Sequence, residues 1–252
     1  MKFTSEKFSN FIAVCNFIQN VCSDLQIKNN KIHQKSDNSV FVVKGDLSSI
    51  FENSDIDELK ITPLVSKIQL LSTFIENDVP VTLIKKDDKY YSFSDNISKL
   101  EIRIPQEDIL INKYDENLII QYDENNLLFE FKLSTSMLKK IKKTTSITAS
   151  NWTEINFDPE KEKVTAEIIS SSKSIKLNLF EKEYNNIINR TEPFTVRISN
   201  EAFLNAPSSD EVDIAFYYDK NKDVVIQKSQ LSIGEALVEL YQRNRIKLTS
   251  EE

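Results

Sequence analysis

Glycine and histidine are nearly missing from this 252-residue chain, which has two glycines, Gly45 and Gly234, and one histidine, His33. Two glycines so far apart cannot build a phosphate-cradling loop. A single histidine cannot form a zinc-binding cluster, and it leaves a Ser-His-Asp set only if His33 itself serves. His33 lies in the polar, turn-like stretch Asn29-Asn30-Lys31-Ile32-His33-Gln34, where a solvated surface residue is expected rather than a general base. Carboxylates are plentiful, yet Asp87-Asp88 and the run Glu160 to Glu162 read as solvated turns between strands, not as acid-base pairs or Mg²⁺ ligands. The expectation is a protein that is not an enzyme and needs no cofactor and no metal.

Cysteine and long apolar runs are also scarce. Cys15 and Cys22 fall in one apolar-periodic segment. On a helix they would share a face about two turns, roughly 10 Å, apart, too far for a disulfide. They read as reduced core residues of a cytosolic protein. No apolar run approaches the roughly 20 residues needed to cross a bilayer, and Met1 to Lys7 lacks the order of a secretory signal. The expected location is the cytoplasm, that of the host if the chain is phage-encoded. The net charge of −7 counts against nucleic acid only if the cations are spread evenly. A segregated basic face would reverse that inference.

Apolar periodicity fills the chain. Ser5 to Val21, capped by Thr4 or Ser5, carries Phe8, Phe11, Ile12, Cys15 and Ile18, with Cys22 beyond, on one helix face. Short strands follow at Leu25 to Lys28, Ile32 to Gln34 and Val40 to Lys44. Thr62-Pro63 announces a second helix with the stripe Leu64, Ile68, Leu71 and Ile75, widened by Val65 and Phe74. Strands at Val79 to Ile84, Tyr90 to Phe93 and Leu100 to Ile104 come next. Residues 106–126 loosen into a connector between domain 1 (1–105) and domain 2 (127–231), although Leu118 to Tyr122 has the pattern of an extra strand.

The order then recurs. A strand at Leu127 to Leu133 leads into a helix capped by Ser134, running through Met137, Leu138 and Ile141 to about Thr145. Three strands follow at Thr153 to Phe157, Val164 to Ile169 and Ile175 to Phe180. A last repeat starts with Phe194 to Ile198, a short helix through Ala202, Phe203 and Leu204, and strands at Val212 to Tyr218 and Val224 to Lys228. In residues 232–252, Ile233, Ala236, Leu237, Leu240 and Tyr241 have the spacing of an amphipathic helix, read as a packed surface helix or a partner-binding tail. Element order repeated four times constrains architecture even where residue identity has drifted.

Two copies of a paired βαβββ unit with a linker between them resemble the sliding clamp family, both the proliferating cell nuclear antigen type and the phage polymerase processivity factors. The stretch Phe129-Glu130-Phe131-Lys132-Leu133-Ser134-Thr135-Ser136-Met137-Leu138-Lys139-Lys140-Ile141 is similar to the strand-then-helix opening of such a clamp's second domain. The resemblance implies an α+β, two-domain sliding-clamp fold, each domain made of two βαβββ units with helices on the inner face and antiparallel sheets outside. It implies a homotrimeric ring around double-stranded DNA that tethers a DNA polymerase, with a clamp loader as a further partner. The DNA-facing residues would be Lys139, Lys140, Lys142 and Lys143, with Lys67 and Lys7 contributing less. A partner groove beside the connector would be bordered by Ile109, Leu110 and Ile111, a triplet that otherwise reads as one more strand. Two rival readings are a clamp-like viral late transcription factor that does not encircle DNA, and a β-rich virion structural protein.

Overall fold

The computed structural model describes residues 1–19, 21–37, 39, 41–52, 56–75, 79–118, 120, 122–150, 152–158, 163–169, 174–178, 194–199, 212–219 and 224–248. The chain forms two compact units. Unit 1 comprises Met1–Ile119 and Ser232–Glu239, and unit 2 comprises Ile120–Leu231 and Leu240–Glu252.

Unit 1 holds two βαβββ repeats. The first is β1 (Lys2–Phe3), α1 (Ser5–Ile18), β2 (Leu25–Lys28), β3 (Lys31–Lys35) and β4 (Phe41–Asp46). The second is β5 (Glu58–Ile61), α2 (Leu64–Ser72), β6 (Val81–Lys86), β7 (Tyr90–Ser94) and β8 (Lys99–Arg103). In each, the last three strands form an antiparallel meander. Asn29-Asn30 and Asp87-Asp88 turn β2 into β3 and β6 into β7 with positive φ at all four residues. That geometry matches strand twist, and Asn and Asp tolerate it. The leading strands are exchanged: β1 pairs with β6 (Lys2↔Thr82, Phe3↔Val81) and β5 with β2 (Leu25↔Ile61).

The exchange creates a shared core. Phe3 of β1 stacks on Phe11 of α1 at 5.9 Å and meets Phe8 and Phe51 edge-on, while Phe8 reaches Phe74 and Phe93. These six rings are all buried. Helix α1 starts where the Lys7 backbone N–H donates to Thr4 Oγ1 at 3.2 Å. It stops at Ile18, so Cys22 lies beyond the helix rather than on its face. Both thiols are free, and burial pushes Cys22 up to about 12. Helix α2 begins at Leu64, with Pro63 in the cap position, and buries Leu64, Ile68 and Leu71; Val65, expected to widen that stripe, is exposed. Strand β3 takes in His33, which is half-buried, so the solvated-turn expectation for that residue does not hold.

Unit 2 holds β9 (Leu127–Leu133), α3 (Thr135–Thr148), β10 (Trp152–Asp158), β11 (Lys163–Ile169) and β12 (Ser174–Asn178), then β13 (Phe194–Ser199), β14 (Val212–Asp219) and, apart from the Ser232–Glu239 stretch that belongs to unit 1, β15 (Val224–Ile233) and β16 (Ala236–Leu248). Its leading strands are exchanged in the same way: β9 pairs with β14 and β13 with β10. The expected short helix through Ala202, Phe203 and Leu204 lies outside the described residues.

The C-terminal segment is strand, not the expected amphipathic helix. β15 and β16 pair as a hairpin that turns at Gly234, whose φ is +59. Ala236, Val238 and Leu240 are buried while Leu237 and Glu239 are half-buried, an alternation of period two. Leu118, Ile120 and Tyr122 are likewise in no strand. Among the described residues the connector makes one isolated bridge, Gln34↔Tyr114.

Candidate nucleic-acid and partner interfaces

Helix α3 separates apolar from cationic residues. Its cap is Ser134, whose Oγ accepts the Met137 backbone N–H at 3.3 Å. Leu138, Ile141, Thr145 and Thr148 recur at three- and four-residue steps and are buried, and the helix packs against β11. Met137 is half-buried beside them. The 3.6-residue period then turns Lys139, Lys140 and Lys143 outward, and all three are exposed. Lys142 is half-buried, and that burial holds its ammonium below the usual lysine range.

The helices of unit 1 carry little positive charge. Lys7 is the only cation in α1, and its Nζ lies 2.6 Å from Glu52 Oε2. Lys67 is half-buried on α2, whose exposed residues are Val65, Ser66, Gln69 and Leu70. Ser5 to Ile18 and Leu64 to Ser72 thus offer a nearly neutral surface, whereas Thr135 to Thr148 offers a basic one.

The connector forms the second candidate interface. Ile109 and Ile111 are 58% and 66% exposed, and Leu110 between them is 4% exposed. The triplet is not a strand. At its N-terminal side Glu107 pairs with Lys60, which also reaches Glu58 at 2.9 Å. At its C-terminal side Tyr114, together with His33, Lys44, Leu237 and Glu239, lines a concavity of about 250 Å³ within unit 1. The Tyr114 ring meets His33 edge-on at 6.3 Å, and Lys28 Nζ lies 5.7 Å from the Tyr114 centroid. Burial and the Lys44 charge lower the His33 pKa against the opposing pull of the Leu118 carbonyl and Asp115. Sequence reasoning missed Tyr114, His33 and Leu237 as neighbours because they are far apart in the chain.

No protein-family model and no curated protein sequence matches the chain. Solved structures do. A structure of A. fulgidus PCNA with the C-terminal region of FEN-1 bound is 20% identical, with a TM-score of 0.67 and 98% of each chain covered. The proliferating cellular nuclear antigen of Entamoeba histolytica is 16% identical with a TM-score of 0.69 over 97% of both chains. The PCNA2–PCNA3 complex of Sulfolobus tokodaii is 15% identical with a TM-score of 0.68, covering 97% of this chain and 99% of that one. With three βαβββ repeats and the strands of a fourth among the described residues, and with exchanged leading strands, this chain has the α+β fold of the PCNA-type sliding clamps.

Proposed function

We propose that the protein is a DNA polymerase processivity factor, a sliding clamp that closes into a homotrimeric ring around duplex DNA and acts without catalysis. The observation that carries this reading is the face of α3, where Lys139, Lys140 and Lys143 are exposed while Leu138 and Ile141 anchor the helix to the sheet. A clamp needs no base-specific contact. It needs mobile cations at phosphate height on a surface fixed by its own core, which gives salt-dependent attraction without sequence preference. The overall acidity of the chain then disfavours nonspecific DNA elsewhere on the surface.

Assembly follows from the sheet edges. Among the described residues, β8 is hydrogen-bonded only to β7 and β12 only to β11. Such edges are templates for another strand, and two different edges on one chain suit a head-to-tail, ring-closing contact between copies. The partner surface is the connector with Ile109 and Ile111, where a polymerase or clamp loader would place apolar anchors. A native mass spectrum at micromolar concentration tests the assembly: a trimer is expected, and monomer alone, with no rings in negative-stain images, counts against it.

The neutral surfaces of α1 and α2 favour a second reading, a clamp-like viral late transcription factor that binds polymerase without encircling DNA. Replacing Lys139, Lys140, Lys142 and Lys143 with alanine separates the two, because only the encircling clamp loses its hold on DNA.

A further inference from the structure

The connector is fixed to unit 1 mainly by buried side chains. Asp24, just before β2, is 2% exposed. Its Oδ2 accepts the backbone N–H of Ile111 at 2.6 Å and that of Asn112 at 3.5 Å. Asn112 is also 2% exposed and completes the exchange. Its Oδ1 accepts the Asp24 backbone N–H at 3.0 Å, and its Nδ2 donates to the Lys35 carbonyl at 2.9 Å. A third anchor follows, where the Tyr114 N–H donates to Gln26 Oε1 at 2.6 Å. Gln26 is held in turn, since its N–H donates to Gln34 Oε1, and Gln34 Nε2 donates to the Asp24 carbonyl.

We propose that Asp24 and Asn112 form a latch that fixes the connector with Leu110 turned inward and Ile109 and Ile111 outward, making Asp24 a positioning residue for partner docking. The docking half of this inference rests on the reading given above. The physical reason is hydrogen-bond accounting. Backbone N–H groups of a segment without a strand ladder must find acceptors when buried, and here two side chains supply them in a pattern that fits only one register of the connector. A shift of one residue would swap inward Leu110 for an isoleucine and carry the Asn112 side chain away from the Asp24 N–H and the Lys35 carbonyl. A segment held in its binding conformation before the partner arrives loses less freedom on docking, and apparent affinity scales with the fraction of chains so held.

The test uses the full chain, as wild type, Asp24→Asn and Asn112→Ala. The second variant lies in the connector itself and keeps the test usable if the first fails to fold. Hydrogen exchange followed by mass spectrometry should show the amides of 109–114 exchanging roughly tenfold faster in both, with β6 and β7 unchanged. Unchanged connector exchange overturns the latch. The docking probe is a peptide selected from a display library on the wild-type chain for sensitivity to the double variant Ile109→Ser, Ile111→Ser. Asn112→Ala should weaken it roughly tenfold. Faster exchange with full peptide affinity overturns the positioning role, and a selection that yields no isoleucine-sensitive peptide overturns the docking reading and that role together, leaving the exchange result to judge the latch.

Discussion

Lys7 Nζ lies 2.6 Å from Glu52 Oε2, which ties the only cation of α1 to the segment after β4. Glu52 holds its proton less tightly than usual because of the hydrogen bond and charge of Lys7. The pair offsets the positive charge that α1 presents. Lys7→Ala should therefore leave the salt dependence of DNA binding almost unchanged. The triple variant Lys139→Ala, Lys140→Ala, Lys143→Ala should lower the slope of log K against log salt by about 0.9 for each lysine that meets a phosphate. Equilibrium binding over a salt series reads both slopes. Equal effects from the two variants would refute the assignment of DNA contact to α3.

The six-phenylalanine core makes a stability prediction. Phe11 is fully buried, stacks on Phe3 and meets Phe51 edge-on at 5.6 Å. Phe11→Ala removes a large ring from a packed site and should cost about 3–5 kcal/mol. Urea unfolding should show this loss, while Lys140→Ala on the exposed face of α3 should not move the midpoint.

The Glu58 carboxyl gives unit 1 a pH signature. Burial alone would raise its pKa, but hydrogen bonds from Lys60 and Gln26 and the charges of Lys60 and Lys28 outweigh that and hold it below its ordinary 4.5. The unfolded chain thus binds the proton more tightly than the folded one. The resulting stability is present above pH 4.5 and is lost as pH falls through the folded value. Urea midpoints measured from pH 6 downward should fall less steeply in Glu58→Gln than in wild type. Parallel curves would show that Glu58 carries no such linkage.

Much of the architecture was legible because periodicity reports burial, and burial is what the folded repeats share. The stripe Leu138, Ile141, Thr145 fixes which side of α3 packs, and the outward lysines follow from 3.6-residue geometry. What was not legible depends on contacts between distant segments. β1 is only two residues long and exists because Lys2 and Phe3 pair with Thr82 and Val81. The Ile233 to Tyr241 segment has apolar residues at helical spacing and, equally, Ala236, Val238 and Leu240 at strand spacing. The turn at Gly234 and pairing with β15 select the strand. The Asp24 contact with Ile111 spans 87 residues, so neither residue announces it.

The edge of β8 can be probed with proline. Along an antiparallel edge strand, successive backbone N–H groups point alternately toward the neighbouring strand and away from it. Leu100→Pro and Glu101→Pro therefore differ in kind. One removes a donor that β7 uses and destabilises unit 1. The other removes an outward donor, leaves the subunit folded and abolishes association. Circular dichroism with sedimentation velocity distinguishes them. A trimer that survives both substitutions would exclude β8 from the contact between copies.

Topological retention on DNA tests encirclement most directly. The protein is allowed to enter linear duplex DNA from its ends, the ends are blocked with streptavidin, and the complex is washed in high salt. A closed ring stays on the blocked duplex at salt concentrations that abolish ionic binding and escapes when a restriction enzyme cuts the DNA. Release by salt with both ends still blocked, or retention after cutting, would contradict the proposed clamp.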